Sequence, residues 1–257
     1  MPARVPAAPA APAVRSVAAL AAMASFGLTG CGGPFDGLSG PQILTTAIET
    51  TKQAGSVTLD VTRTAPDGHR RAYLTVGSRG RCAGTLTVGS SGTMELIRTG
   101  DVAYVRFDEA FLRAERKDSS PDEIDRTFKE LRGRWMKTDA SAATGTPGTS
   151  AATVAGRGIG LCDLDALLTG LESGAGSARR GEETTVDGHP ALRLTASYGG
   201  TTATAYVATD GAPYLLKLVT RGGDEPGTVT FSRYDKPAPV RAPAARDIVE
   251  TGSAEAA

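Results

Sequence analysis

Two stretches of this chain, residues 56–107 and 182–234, alternate apolar and polar side chains, and turn signals cut both into pieces of strand length. No other feature constrains the fold as tightly. A period of two puts alternate residues on opposite faces of a sheet, so a one-residue slip would turn the whole apolar set to water. In the first stretch Val57, Leu59 and Val61 alternate with Thr58, Asp60 and Thr62. Asp67-Gly68 is a hairpin signal, and residues 71–77 return through Tyr73, Leu74 and Val76. Residues 82–88, 93–98 and 102–107 follow, separated by Gly89-Ser90-Ser91-Gly92 and Gly100-Asp101. The pattern predicts a meander of five short antiparallel strands. The second stretch repeats it. Asp187-Gly188 turns into residues 191–197, Gly199-Gly200 breaks the run, and residues 202–208, 214–221 and 228–234 complete about five more strands.

Helical periodicity flanks and joins the meanders. Pro41 stands at an N1-like position before Ile43, Leu44, Ala47 and Ile48, which share one face of a helix over residues 41–53. Residues 108–132 carry a helix start at Ser120-Pro121-Asp122-Glu123 and an apolar stripe of Ile124, Phe128 and Leu131. Residues 161–171 form a short helix with Leu164, Leu167, Leu168 and Leu171 on one side, and Asp163 and Asp165 at its start, where acids suit the helix dipole. Residues 140–152 and 156–160 read as loops. Residues 241–257 read as a flexible tail. The sum is an α+β chain: about ten strands in one curved antiparallel sheet, with helices on one face.

Charge removes one class of partner. Lys plus Arg number 28 and so do Asp plus Glu, so the net charge is zero. The basic excess of a nucleic-acid binder is missing, and no nucleic acid is expected as a partner. The 40% hydrophobic content suffices for a core.

The N-terminus reads as an address. Arg4 and Arg15 precede a twelve-residue apolar run, residues 17–28, too short to span a bilayer and suited to a signal peptide. The run ends in Leu28-Thr29-Gly30-Cys31, which resembles the bacterial lipobox, whose cysteine thiol is alkylated with diacylglycerol. Residues 1–30 are then a removable leader, and 227 residues remain. Residues 31–39 form the lipidated Cys31 and a short tether, and residues 40–240 the folded domain. Two acyl chains hold a protein at a membrane where one leaks. The expected location is therefore the outer face of the cell membrane. With Cys31 used for lipid, Cys82 and Cys162 remain. Outside the cytosol, where disulfides persist, they are expected to pair with each other; two separately buried thiols are the alternative.

Little in the chain suggests catalysis. The two histidines, His69 and His189, both follow Asp-Gly turns, no G-x-S-x-G motif is present, and no metal-ligand spacing occurs. No catalytic residue, metal or cofactor is expected. The apolar strand face is more informative: Leu59, Val61, Leu74, Val76, Leu86, Val88, Leu192, Leu194 and Val207, facing Ile43, Ile48, Phe128, Leu164 and Leu168 of the helices. These either fill a core or line a cavity for a hydrophobic ligand.

The lipobox-like tetrapeptide, the first helix, a meander, a helical insertion and a second meander ending in Phe231-Ser232-Arg233-Tyr234-Asp235-Lys236-Pro237 together resemble the LolA/LppX-like lipoprotein superfamily. The Pro-rich segment 236–243 is similar to the close of actinobacterial members, and 22 arginines against 6 lysines fit a GC-rich genome. The resemblance implies an open half-barrel whose concave face is covered by helices, a cavity that holds acyl chains, and carriage of lipids or lipoproteins across the envelope. It brings no catalytic residues. A surface-interaction or sensor lipoprotein with a filled core is the alternative.

Overall fold

Twelve strands pair into a single open sheet in the computed structural model. The structure describes residues 33–65, 68–115, 119–140, 155–156, 158–223, 226–236 and 240–250. The leader, Cys31, Asp67, residues 141–152, Pro237 and the tail from residue 251 lie outside the described residues. The described residues belong to one compact unit, and every side chain of the continuous core is among them.

The first meander is β1 (Ser56–Ala65), β2 (Gly68–Gly77), β3 (Arg81–Val88), β4 (Thr93–Thr99) and β5 (Val102–Phe107). Before it stands α1 (Gly40–Gln53), and after it the insertion adds α2 (Glu109–Glu115), α3 (Pro121–Leu131) and β6 (Trp135–Asp139). After α4 (Leu164–Gly174) comes the second meander: β7 (Arg179–Val186), β8 (His189–Tyr198), β9 (Thr201–Ala208), β10 (Leu215–Arg221) and β11 (Gly227–Ser232); β12 (Ile248–Glu250) closes the chain. Antiparallel pairing of β1 with β11 joins the meanders, giving the order β12-β6-β5-β4-β3-β2-β1-β11-β10-β9-β8-β7. Asp187 and Gly188 both have positive φ, 48° and 85°, as the two-residue hairpin signalled by Asp-Gly requires.

The register lines up one apolar row across the sheet. Phe107, Met94, Leu86, Ala72 and Val61 are successive cross-strand partners, and the row continues through Val229, Leu218, Ala205 and Leu194. All nine are buried. The opposite face carries threonines and paired charges, such as Asp60–Arg71 at 2.9 Å and Glu95–Arg106 at 2.6 Å. The helices cover the apolar face. On α1, Ile43, Leu44, Ala47 and Ile48 are buried, behind a capping box of Ser39 and Gln42. Gly40 is required there, because a Cβ would stand 2.4 Å from the Ala178 carbonyl oxygen. α4 packs on β8 and α1, with the ring of Tyr198 against Gly170 and Gly174.

Three segments are more ordered than their sequences suggest. Residues 33–39, expected as a flexible tether, turn back on the domain. Phe35 is buried, and Arg180 donates to the carbonyls of Phe35 and Leu38 at 2.9 and 3.2 Å. Of the tail, residues 248–250 pair in parallel with β6, and Arg134 donates to the Ile248 carbonyl at 3.2 Å. Of the glycine-rich 156–160 segment, residues 156 and 158–160 are helical, with Ala155 before them. Burial of Ala155 and Ile159 outweighs poor helix propensity.

A bulge in β10 at Leu215 breaks the ladder to β9, so the Leu215 backbone needs other partners. The fully buried Thr51 hydroxyl of α1 accepts from the Leu215 N–H at 3.0 Å. The Tyr234 hydroxyl donates to the Leu215 carbonyl at 2.5 Å. Burial pushes the Tyr234 phenol strongly up, and its ring stacks on Tyr214 at 3.9 Å. Tyr214 in turn donates to Asp235 at 2.7 Å, which with the Gly55 N–H holds that carboxyl below its ordinary value. Arg233 and Asp235 sit at φ 52° and 55°, a costly turn for non-glycine residues that these anchors hold in place. Thr51→Val keeps the shape and removes the acceptor. It should lower stability by about 1–3 kcal/mol, the cost of an unsatisfied buried N–H, as measured by urea denaturation.

Candidate functional site

Members of the apolar row border two cavities, and the larger of these lies beneath the start of α4. It measures about 220 Å³ and lies between the sheet and the segment around α4. Its sheet side is Val61, Ala72 and Leu86, three neighbours of the apolar row. Gly160, Leu161, Ala166 and Leu167 supply the other side. Ala72, Gly160 and Ala166 have one side-chain carbon or none, and the space they leave is the cavity. Arg63 and Arg70 complete the lining.

The nine strand residues expected along a core or cavity divide unequally. Val61 and Leu86 line the cavity. Leu59, Leu74, Val76, Leu192, Leu194 and Val207 are at most 3% exposed and belong to the filled core. Val88 is partly buried against it. Of the helical set, Ile43, Ile48 and Leu168 are core residues, while Phe128 and Leu164 pack on its margin. The sequence reading missed Ala72, Arg63 and Arg70. Phase was the available signal: Arg63 continues the series Val57, Leu59, Val61, and Arg70 precedes Ala72, Leu74, Val76.

The segment over the cavity is fixed at one end. Cys82 of β3 and Cys162, just before α4, form a disulfide with a Cα–Cα distance of 5.5 Å across 80 residues. Asp163 caps α4, accepting from the Asp165 and Ala166 N–H groups at 3.0 and 3.2 Å. Lys52 at the end of α1 reaches Glu172 at 2.8 Å and Asp165 at 3.0 Å, and these contacts, Glu172 first, raise its pKa. At the other end Arg63 also borders a smaller cavity, about 100 Å³, with Tyr198 and Thr220. Burial raises the Tyr198 phenol, and the charge of Arg63 opposes that shift.

Among the described residues the two histidines stand apart. His69 and His189 are both exposed and lie in separate hairpins; His69 Nδ1 is 3.2 Å from the Thr64 hydroxyl. Among the described residues no group of three or more His, Cys, Asp or Glu stands close enough to hold a metal ion. No helix among them is long and apolar enough to cross a membrane.

An open, curved, mostly antiparallel sheet with helices on its apolar face and a small aliphatic gap beneath them defines a half-barrel of α+β class. The chain has a LolA/LppX-like fold. LprF from Mycobacterium bovis superposes with a TM-score of 0.50 at 16% identity, over 80% of this chain and 97% of that one. The Mycobacterium tuberculosis lipoprotein LppX gives 0.47 at 15% identity, over 79% and 100%. A putative outer membrane lipoprotein-sorting protein domain from Vibrio parahaemolyticus gives 0.25 at 9%, over 77% and 93%. No protein-family model and no curated protein matches the sequence.

Reduction of the Cys82–Cys162 bond should destabilise the domain by about 4–5 kcal/mol, the chain-entropy value for a loop of this size. Guanidinium unfolding with and without reductant measures it.

Proposed function

We propose that this chain is a lipoprotein of the outer face of the cell membrane, anchored through lipidated Cys31, that binds a hydrophobic, lipid-like ligand and is not an enzyme. The observation that carries the binding reading is the cavity over Val61, Ala72 and Leu86, whose walls are aliphatic and continuous with the apolar face of the sheet. At about 220 Å³ it is smaller than the roughly 300–1,000 Å³ of sites for drug-sized ligands, so it suits one short alkyl chain or the end of a longer one. The anchor reading rests on Leu28-Thr29-Gly30-Cys31 after a short apolar run. Phe35 is buried only four residues beyond Cys31, which holds the domain within about 14 Å of its anchor point.

A second reading, an interaction or sensor lipoprotein with a filled core, draws on the six expected cavity residues that are packed away instead. Alkyl binding separates the two. Residues 33–257 should bind a ten-carbon alkyl probe in native mass spectrometry. Ala72→Leu, which adds three carbons to the cavity wall, should weaken binding at least about tenfold while the domain stays folded. A domain that binds no alkyl probe supports the filled-core reading, and undiminished binding by Ala72→Leu places the ligand elsewhere.

The anchor has its own test. Cys31→Ala should move the protein from the membrane to the soluble fraction on cell fractionation, and unchanged membrane association would remove the lipidation reading.

A further inference from the structure

The cavity is aliphatic along its sheet side but cationic at one end. Arg63 and Arg70 are direct cross-strand partners, one row beyond Val61 and Ala72. Like charges directly opposite one another on a sheet are unfavourable. Here they fall on the helix-covered face, both partly buried, beside apolar side chains. The same row runs through Gly227, where a Cβ would stand 2.9 Å from Arg63 Cγ. The absence of that Cβ leaves room for the Arg63 stem to lie across β11. Arg63 and Leu167 also line the adjoining cavity, where Tyr198 and Thr220 stand. Among the described residues no Asp or Glu lines either cavity.

We propose that the ligand is a single-chain anionic amphiphile, its alkyl chain on Val61, Ala72 and Leu86 and its carboxylate or phosphate group held by Arg63 and Arg70. This rests on the reading of the cavity as a hydrophobic-ligand site and adds the charge of the headgroup. Both arginines already take part in interactions within the fold. A guanidinium has five N–H donors in a planar fork, so it can keep one partner while a carboxylate or phosphate takes the remaining donors. A hydrogen bond to a charged group contributes more than one between neutral groups, and the adjoining apolar walls reduce competition from water. At about 220 Å³ the cavity matches a single short alkyl chain.

Four probes on residues 33–257, disulfide intact, test it by calorimetric titration: decanoate, decyl phosphate, decanol and inorganic phosphate. Decanoate and decyl phosphate should bind about tenfold or more tighter than decanol. Their advantage should shrink as salt is raised. Arg63→Gln combined with Arg70→Gln should bring them to the level of decanol. Arg63→Lys with Arg70→Lys, which keeps the charge, should retain part of the preference and controls for simple loss of fold. Inorganic phosphate should neither bind well nor displace decyl phosphate. Equal binding of decanol and decanoate would overturn the headgroup assignment and leave the hydrophobic-ligand reading standing. Binding of inorganic phosphate as tightly as decyl phosphate would also overturn it, since the cavity would then contribute nothing. Failure of every alkyl probe would overturn both readings.

Discussion

One apolar face, shared by nearly all the strands, is the constraint on which the rest of this structure depends. The row from Phe107 to Leu194 crosses nine strands, and such a face is stable in water only if something covers it. The cover must come from the few residues outside the strands. α1 and α4 cover the second-meander side, α2 packs on β4, and Gly158 lies over β3 and β4, close enough to Met94 that a Cβ would stand 2.5 Å from its terminal methyl. The cavity arises where this limited cover meets the sheet through its smallest side chains.

Burial of Ile43, Leu44, Ile48, Leu168 and Leu171 drives the cover onto the sheet, and polar and covalent ties fix its position. Thr51 ties α1 to the bulge of β10, Lys52 ties α1 to α4, and the disulfide ties the start of α4 to β3. The bulge is informative, because it removes regular ladder bonds at Leu215 and lets a helix side chain take their place. A lost sheet bond becomes a specific tie between layers. The exposed edge strand β7 is handled differently. Arg179, Arg180, Glu182 and Glu183 put charge along it, a register shift interrupts it between Arg180 and Glu183, and the N-terminal segment is fastened beside it by Arg180. Charge and irregularity of this kind deter edge-to-edge association.

The strands and their order of pairing within each meander were legible, because alternation and Asp-Gly turns are local signals. Joining of β1 to β11 is not local, and nothing in either strand alone specifies its partner. The parallel β12 was invisible for another reason: three residues cannot display a period. Phe35 sits in a glycine-rich stretch that reads as tether, and only its burial shows that it is part of the core. The candidate site was half legible. Val61 and Leu86 announce themselves by hydrophobicity and phase. Ala72 matters through what it lacks, and a missing side chain leaves no hydrophobic signal. Arg63 and Arg70 share the phase of the apolar set, but their charge reads as solvent-facing when each strand is considered alone.

The asymmetry of the cover bears on what the cavity can accept. Cys82 and Arg70's partner Val88 lie six residues apart on β3, about 20 Å along the strand. The disulfide therefore fixes the cover at one end of the trough, and the arginine row marks the other. A chain longer than the present cavity cannot extend toward Cys82 without displacing a covalent tie and the filled core around Val57 and Val76. At the arginine end the cost is smaller, since Leu161, Leu167, Arg63 and Arg70 are only partly buried and Ala166 is exposed. Any growth of the site is thus directed toward the two guanidinium groups, which puts the polar end of an amphiphile, and not its alkyl end, at the mouth.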